Sequence, residues 1–468
     1  MSNVLEYTPV DDIPSIVTSL HKSFRANPNR SLEYRLNQLR NLYYAIKDNE
    51  ELLVRVLKKD LNRPEGDTQL LEITPLYIEI LTTINNLSKW MKPTSAKNVD
   101  LLYYFTSPKI AKIPLGTVLI IGPFNFPYLT TLAPLVGSIA AGNTTVFKQS
   151  EQIPYTSQTL GTILTDALDP KIFQIVQGGI EETTVLLNQK FDKIIYTGSG
   201  KVGRIIASKA AETLTPTILE LGGKSPAFVT PSVQPKDLKT VCKRIAFTRF
   251  ANAGQICVST DYCIVHDSLY DEFVDMMKLV IKELYDVDET NSTKLVNKNA
   301  WDRVMNIIRN TKSDVVLGGD GDREARFIQP TLLTNVSFDD ASMKEEIFGP
   351  VLPVIKYSDL QHSIDNVLDI ADTPLALYIY SKSSKEIETI SSQIRSGALV
   401  VNDGVIHGGL ACVPFGGVGE SGYGSYHGKW SFDAFSHERA VLKNPFWTDI
   451  LFESKYPPIT KMDLKLNL

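Results

Sequence analysis

The chain has 468 residues, 43% hydrophobic and 22% charged, a composition ordinary for a soluble globular protein of two or three domains. A net charge of −5 and a pI near 5.8 give it no general affinity for nucleic acid or anionic membrane. Its four cysteines (Cys242, Cys257, Cys263 and Cys412) are too sparse for a disulfide framework and fit a reducing compartment.

The N-terminal MSNVLEYTPVDDIPS has neither the basic nor the apolar region of a secretory signal. Residues 32–59 place Leu36, Leu39, Tyr43 and Ile46 at helical spacing. A second amphipathic helix carries Ile73, Tyr77, Ile80, Ile84, Leu87 and Met91. The segment LLYYFTSPKIAKIPLG (101–116) reads as extended chain, a hairpin projecting from the body. The most apolar stretch, residues 115–142, contains Pro123, Asn125, Pro127 and Pro134. A spanning helix needs about 20 mostly apolar residues without such interruptions, so buried core is expected there.

From Thr117 the pattern changes. Short apolar runs at TVLII, TTVFK, IFQIV, KIIYT and TILEL alternate with segments of helical composition. This predicts a parallel sheet covered on both faces, of the nucleotide-binding type. After about residue 222, LKTVCKRIAFTRFA, YCIVH, DEFVDMMKLVIKELY, DVVLGG and PVIKY predict a second α/β domain. The polar stretches DVDETNSTK and GGDGDREAR are expected loops. The tail YPPITKMDLKLNL shows no apolar anchor and no prenylation cysteine.

Four stretches could carry chemistry. In FANAGQICVSTDYC (250–263), Cys257 follows a glycine-containing turn at an element boundary, which suits a nucleophile. On position alone an inert packing cysteine is the commoner reading, since free cysteines are usually buried and unreactive. Cys263 and His266 have C-x2-H spacing, but no second pair completes four zinc ligands, and no C-x-x-C is present. In YTGSGKVG (196–203), Gly198 allows a sharp turn, Ser199 can begin a helix and Gly203 lets that helix pack closely. A helix N-terminus offers free N–H groups to a pyrophosphate, although a simple turn has the same signature. In TTVFKQSE (144–151), Lys148 and Glu151 could hold ribose hydroxyls or lie on a solvated loop. In LELGGKSP (219–226), Glu220 ends an apolar strand, where desolvation would raise its pKa and suit it to general-base work. The alternative there is an ion pair with Lys224.

Taken in order, PFNFP (123–127), KQSE (148–151), YTGSGKVG, LELGGKSP, FANAGQICVS, EEIFGPVLP (345–353) and PFGGVGESGYG (414–424) resemble the aldehyde dehydrogenase superfamily. The match runs over about residues 115–440. PLALYIYS, YHGKWSFDAFSHER and YPP are similar to class 3, the fatty aldehyde dehydrogenase branch, and most to fungal long-chain, hexadecenal-type enzymes.

The resemblance implies an α/β fold of aldehyde dehydrogenase type. A Rossmann-type NAD(P)-binding domain would comprise residues 1–97 and 115–221, with 416–436 returning to it. An α/β catalytic domain would span 222–415, and a small oligomerisation arm would take 98–114 and about 437–455. The implied reaction is NAD(P)-dependent oxidation of medium- or long-chain aliphatic, or aromatic, aldehydes to carboxylic acids. Cys257 would be the nucleophile, Glu220 would activate the hydrolytic water, and Asn125 would join the Cys257 N–H in holding the oxyanion. Lys148 and Glu151 would contact the adenosine ribose, and Gly198, Ser199 and Gly203 would form the pyrophosphate-binding turn. Leu221 and Gly222 would also touch the cofactor, with Glu346 and Phe348 at the nicotinamide ribose. The cofactor would be NAD, with NADP also considered, and no metal is implied. Gln149 stands where the family has proline in K-P-S-E, which would alter the loop at the ribose. The resemblance further implies a homodimer, and class 3 relatives often carry an apolar C-terminal membrane anchor; the tail here shows none, so a cytoplasmic protein with at most peripheral membrane contact is expected. Two alternatives remain: a coenzyme-A-acylating enzyme, whose type lacks the glutamate, and a nucleotide-binding protein with retired chemistry.

Overall fold

The computed structural model describes residues 4–285, 290–371, 373–449 and 456–457. Each apolar run from Thr117 onward is a strand, because β-branched residues bounded by glycine and proline favour short, fully buried strands. Six strands form one sheet in the order Gly422–Tyr423, Thr217–Leu221, Lys193–Gly198, Thr117–Ile121, Thr144–Lys148 and Phe173–Ile175. All pairs are parallel except Gly422–Tyr423 against Thr217–Leu221. Alternate residues serve opposite faces. Val118 and Ile120 pack with Leu39, Leu76 and Leu132 from one helical layer, while Leu119 and Ile121 pack with Val17, Leu186 and Ile206 from the other.

The chain order reverses between Thr117–Ile121 and Lys193–Gly198, so a crevice opens beyond the carboxyl ends of these strands. Asn125, Lys148, Ser199 and Glu220 all lie at or just past those ends.

A seven-stranded sheet follows, in the order Asp314–Leu317, Thr331–Thr334, Val351–Tyr357, Tyr262–His266, Pro226–Val229, Ala376–Tyr380 and Ala398–Val401. Only Asp314–Leu317 runs antiparallel to its neighbour. Cys263 is fully buried in the middle of this sheet, opposite Ala227 and Val354.

A third, antiparallel sheet joins Thr94–Ser95, Lys109–Pro114 and Ser436–Val441, with Pro114 opposite Ser436 and Lys109 opposite Val441. Residues 450–455, part of the expected arm, lie outside the described residues.

Two expectations change. The periodic stretch 32–59 is not one helix but two, Leu32–Asp48 and Glu50–Leu61. Asn49 breaks it by donating its side-chain amide to Ala45 O (2.9 Å), the local competition that makes asparagine a poor interior helix residue. Leu101–Thr106 is a 3₁₀ helix rather than extended chain; it ends where Ser107 turns left-handed at φ 43°. The apolar 115–142 region divides into strand, loop and helix. Among the described residues no helix is long and apolar enough to cross a membrane.

Candidate active site

Helix Pro235–Phe250 ends in an unusual turn. Asn252, Ala253 and Gly254 adopt φ of 52°, 54° and 73° in succession. Left-handed conformations at non-glycine residues cost about 1–3 kcal/mol each and persist only where surrounding contacts hold them. At Gly254 any side chain would collide with the Gly349 carbonyl.

Arg63, fully buried, supplies the hold. Its guanidinium donates to Asn252 Oδ1 from Nε (3.0 Å) and Nη2 (2.6 Å), to the Glu72 carboxylate, and to the Asn125 carbonyl. Glu72 in turn accepts from the backbone N–H groups of Tyr128 (2.7 Å) and Leu129 (3.2 Å). The Asn252 amide donates to Asn125 O and Gln255 O, and Asn125 Nδ2 donates to Gln255 O at 3.0 Å. One cation therefore ties the Asn125 loop to the turn that presents Cys257.

Cys257 lies on the turn expected for it, half-buried, and lines a pocket. Burial pushes its thiol up to about 12, and the nearby Glu346 and Glu220 carboxylates push the same way. Glu220 is buried, with neither carboxylate oxygen hydrogen-bonded among the described residues. Burial raises its pKa well above the ordinary carboxylate value, and the neighbouring Gly417 peptide offsets little of this.

The ion pair considered for Glu220 does not form. Lys224 turns instead to Asp261 and to the carbonyls of Ser342 and Glu345, both at 2.9 Å. Asp261 also accepts from Arg249 Nη1 (3.1 Å) and from the Ile347 N–H (3.1 Å), fixing the 345–348 loop. Glu346 on that loop is pushed up to about 8 by burial and then by Asp261. Its carboxylate rests against Gly222, where a Cβ would overlap it. Phe348 is left-handed at φ 46°, and its ring meets Phe124 edge-on at 6.0 Å.

At the far end of the crevice, Lys148 Nζ lies 3.4 Å from Glu151 Oε2 and 3.1 Å from Gln149 O. Ser199 caps helix Gly200–Glu212, and Gly203 sits so close to Leu221 that a side chain would collide with it. Val202 and Ile205 leave apolar surface exposed on that helix. A helix N-terminus, apolar surface, a lysine and a carboxylate along one strand edge are a donor set that fits a dinucleotide. Gln149 points away from this set. It is fully buried and donates to Pro127 O (2.9 Å) and Thr131 Oγ1 (3.2 Å), bracing the Asn125 loop instead.

The pocket above Cys257 encloses about 810 Å3, its open mouth included. Leu70, Leu71, Phe126, Leu129, Phe247 and Phe415 contribute to its wall, and no charged side chain lines it among the described residues.

The aldehyde dehydrogenase family model matches residues 5–441. The chain belongs to the aldehyde dehydrogenase family. Fatty aldehyde dehydrogenase HFD1 of Saccharomyces cerevisiae is 42% identical over 99% of this chain and 91% of that protein. The dimeric NADP-preferring aldehyde dehydrogenase of Canis lupus familiaris is 38% identical over 95% of this chain and 98% of its own. The substrate-bound structure of Staphylococcus aureus AldH superposes with a TM-score of 0.88 at 33% identity, covering 95% of this chain and 99% of that one. This aldehyde dehydrogenase is an NAD(P)-dependent oxidoreductase that oxidises aldehydes. A retired nucleotide-binding protein and a coenzyme-A-acylating enzyme are not favoured.

Arg63, Glu72, Asn252, Gln255 and Asp261 were not legible as site residues in the sequence. Arg63 and Asn252 are 189 positions apart, so no local spacing signals their pairing.

Proposed function

We propose that this enzyme oxidises medium- and long-chain aliphatic aldehydes to carboxylic acids. The observation that carries the reading is a half-buried Cys257 lining an apolar pocket, with the buried Glu220 carboxylate near enough to act on its thiol. Loss of the Cys257 proton frees its sulfur to bond the aldehyde carbon, whose carbonyl oxygen becomes an oxyanion. Asn125 Nδ2 and the Cys257 N–H donate to that oxyanion, each such donor being worth about 3–4 kcal/mol. Bound NAD(P) supplies the acceptor for the hydride that leaves the same carbon. An acyl thioester then remains on Cys257, and Glu220 takes a proton from the water that hydrolyses it. Desolvation raises the affinity of Glu220 for that proton.

Lys148 and Glu151 hold the adenosine ribose, Gly198, Ser199 and Gly203 shape the pyrophosphate turn, and Leu221, Gly222, Glu346 and Phe348 surround the nicotinamide ribose. The six-stranded sheet with its helices is the cofactor domain, and the seven-stranded sheet is the catalytic domain. The three-stranded sheet, whose Ser436–Val441 strand is largely exposed, is the arm through which two copies pair. Light scattering at micromolar concentration tests the dimer, and a monomer would refute it.

The substrate reading is tested by kcat/KM over a series of straight-chain and aromatic aldehydes, with NAD and with NADP. Each methylene entering the pocket contributes about 0.8 kcal/mol, roughly fourfold, until the pocket is full. A series flat with chain length, or led by aromatic rings, would overturn it.

A further inference from the structure

A second pocket adjoins the strained turn that leads to Cys257, and it shares no wall residue with the pocket that Cys257 lines. It encloses about 670 Å3, its opening included. Pro64, Phe250, Phe327, Ile328 and Pro350 contribute apolar walls. Asn252 and Ala253, both left-handed, line it as well, so an occupant packs against the turn itself.

Asp67 and Tyr285 put a carboxylate and a hydroxyl into this apolar frame. Neither group hydrogen-bonds to another described residue. Burial raises the Asp67 pKa, and among the described residues only the charge of Arg63 opposes this. Arg63 itself donates to Asn252, Glu72 and Asn125, not to Asp67. Asp67 is therefore a half-buried anion with no cation of its own, an arrangement that costs stability unless something supplies one. The Tyr285 hydroxyl feels the Asp67 charge, and its ring meets Phe250 at 5.5 Å, so aromatic surface stands beside the carboxylate. On the same wall, Ser292 keeps its hydroxyl buried and without a partner among the described residues.

We propose that this pocket is a second small-molecule site, for an organic ammonium ion with a compact apolar body, and that its occupancy acts on turnover through Asn252. The ammonium supplies the positive charge that Asp67 lacks and donates an N–H to its carboxylate. The faces of Phe250 and Tyr285 attract the same cation, while Phe327 and Ile328 cover its apolar part. A carboxylate or phosphate ligand would be repelled by Asp67. A bare metal ion fits poorly, because hard cations need several oxygen ligands and no group of three metal-binding side chains forms among the described residues. Asn252 is held at φ 52° and joined by Arg63 to the Asn125 carbonyl. An occupant packed against Asn252 and Ala253 favours this strained geometry over relaxed ones, to the extent that it binds the strained form better. Occupancy therefore raises the fraction of enzyme whose Cys257 turn and Asn125 loop stand in the arrangement seen here.

The probe is N,N-dimethylphenethylamine, a tertiary amine that is protonated at neutral pH and cannot condense with an aldehyde. Calorimetric titration of the enzyme should show one saturable site with a dissociation constant on the order of a millimolar, as a ligand of about eleven non-hydrogen atoms allows. Asp67→Asn keeps the shape, removes the charge and weakens binding about tenfold. Leu284→Trp, at a partly exposed position on the pocket wall, blocks it. In steady-state assays, saturating amine raises kcat about twofold or more. It leaves KM for the aldehyde nearly unchanged, because the two pockets share no wall residue. In Asp67→Asn the same rise takes about tenfold more amine. No saturable binding, an affinity unchanged by Asp67→Asn, or competition with the aldehyde would overturn the site. Binding that depends on Asp67 but leaves kcat unchanged, or lowers it, would overturn its action through Asn252.

Discussion

Replacing Arg63 with methionine isolates the contact on which the catalytic loops depend. The side chain is fully buried and joins Asn252, the Asn125 carbonyl and Glu72. Its removal leaves Glu72 as a buried carboxylate with only two backbone N–H donors, from Tyr128 and Leu129. Breaking a buried ion pair from one side costs about 3–5 kcal/mol. A chain of 468 residues has an unfolding entropy near 1 kcal/mol per degree. About 4 kcal/mol therefore appears as a fall in Tm of only about 4 °C. Function is expected to suffer far more, because the strained turn at Asn252 and the backbone of Asn125 lose their common anchor. Displacing one oxyanion donor lowers kcat by about 10²–10³-fold. Differential scanning calorimetry and steady-state NADH formation measure the two effects. Adding Glu72→Gln removes the orphaned charge, so the double variant regains much of the lost Tm without regaining kcat. An Arg63→Met enzyme with unchanged Tm and normal kcat would refute the anchoring role. A double variant less stable than the single one would refute the charge argument.

Glu220→Gln is expected to give a burst of about one reduced cofactor per Cys257, followed by turnover slowed about 10²–10⁴-fold; stopped-flow absorbance at the reduced-cofactor band resolves the two phases, and normal steady turnover would remove Glu220 from the base role. Since Glu220 accepts a proton only when ionised and burial raises its pKa, kcat in the wild type should still be climbing with pH above the ordinary carboxylate range. A profile that stays flat or falls as pH rises contradicts that assignment. With the Cys257 thiol pushed up to about 12, its alkylation by iodoacetamide in a Cys412→Ser background should rise about tenfold per pH unit above neutrality. Mass spectrometry of the modified peptide follows this, and a plateau near neutral pH would show a thiolate already formed. Asn125→Ala should lower kcat by about 10²–10³-fold while the protein still binds cofactor, a split that kinetics and titration together can read.

What was legible in the sequence was local. A run such as TILEL announces its strand through composition, and Glu220 follows from its place at the strand end. Gly203 reads as a close-packing glycine because its neighbours define a strand-to-helix junction, and the contact with Leu221 is there. The misses are of two physical kinds. Some depend on competition at a single residue. Asn49 interrupts a stretch that is otherwise helical in period, and its side chain, rather than the pattern, decides the outcome. Others depend on partners brought together only by the fold. Lys224 lies four residues from Glu220 yet pairs with Asp261, and Gln149 braces the Asn125 loop rather than the ribose edge. Arg63, between Asn62 and Pro64, carries no mark of its role, because all of its function comes from groups distant along the chain.

The setting of Cys257 has a consequence for how the enzyme ages. A thiol held neutral by desolvation and two carboxylates reacts poorly with peroxide as well as with alkylating agents, since it is the thiolate that attacks both. The more accessible sulfur is that of Cys412, exposed on the surface and outside the chemistry. Oxidation is therefore expected at Cys412 more readily than at Cys257. If Cys257 is the nucleophile, the surroundings that hold it neutral between turnovers also shield it from oxidation except while it is ionised.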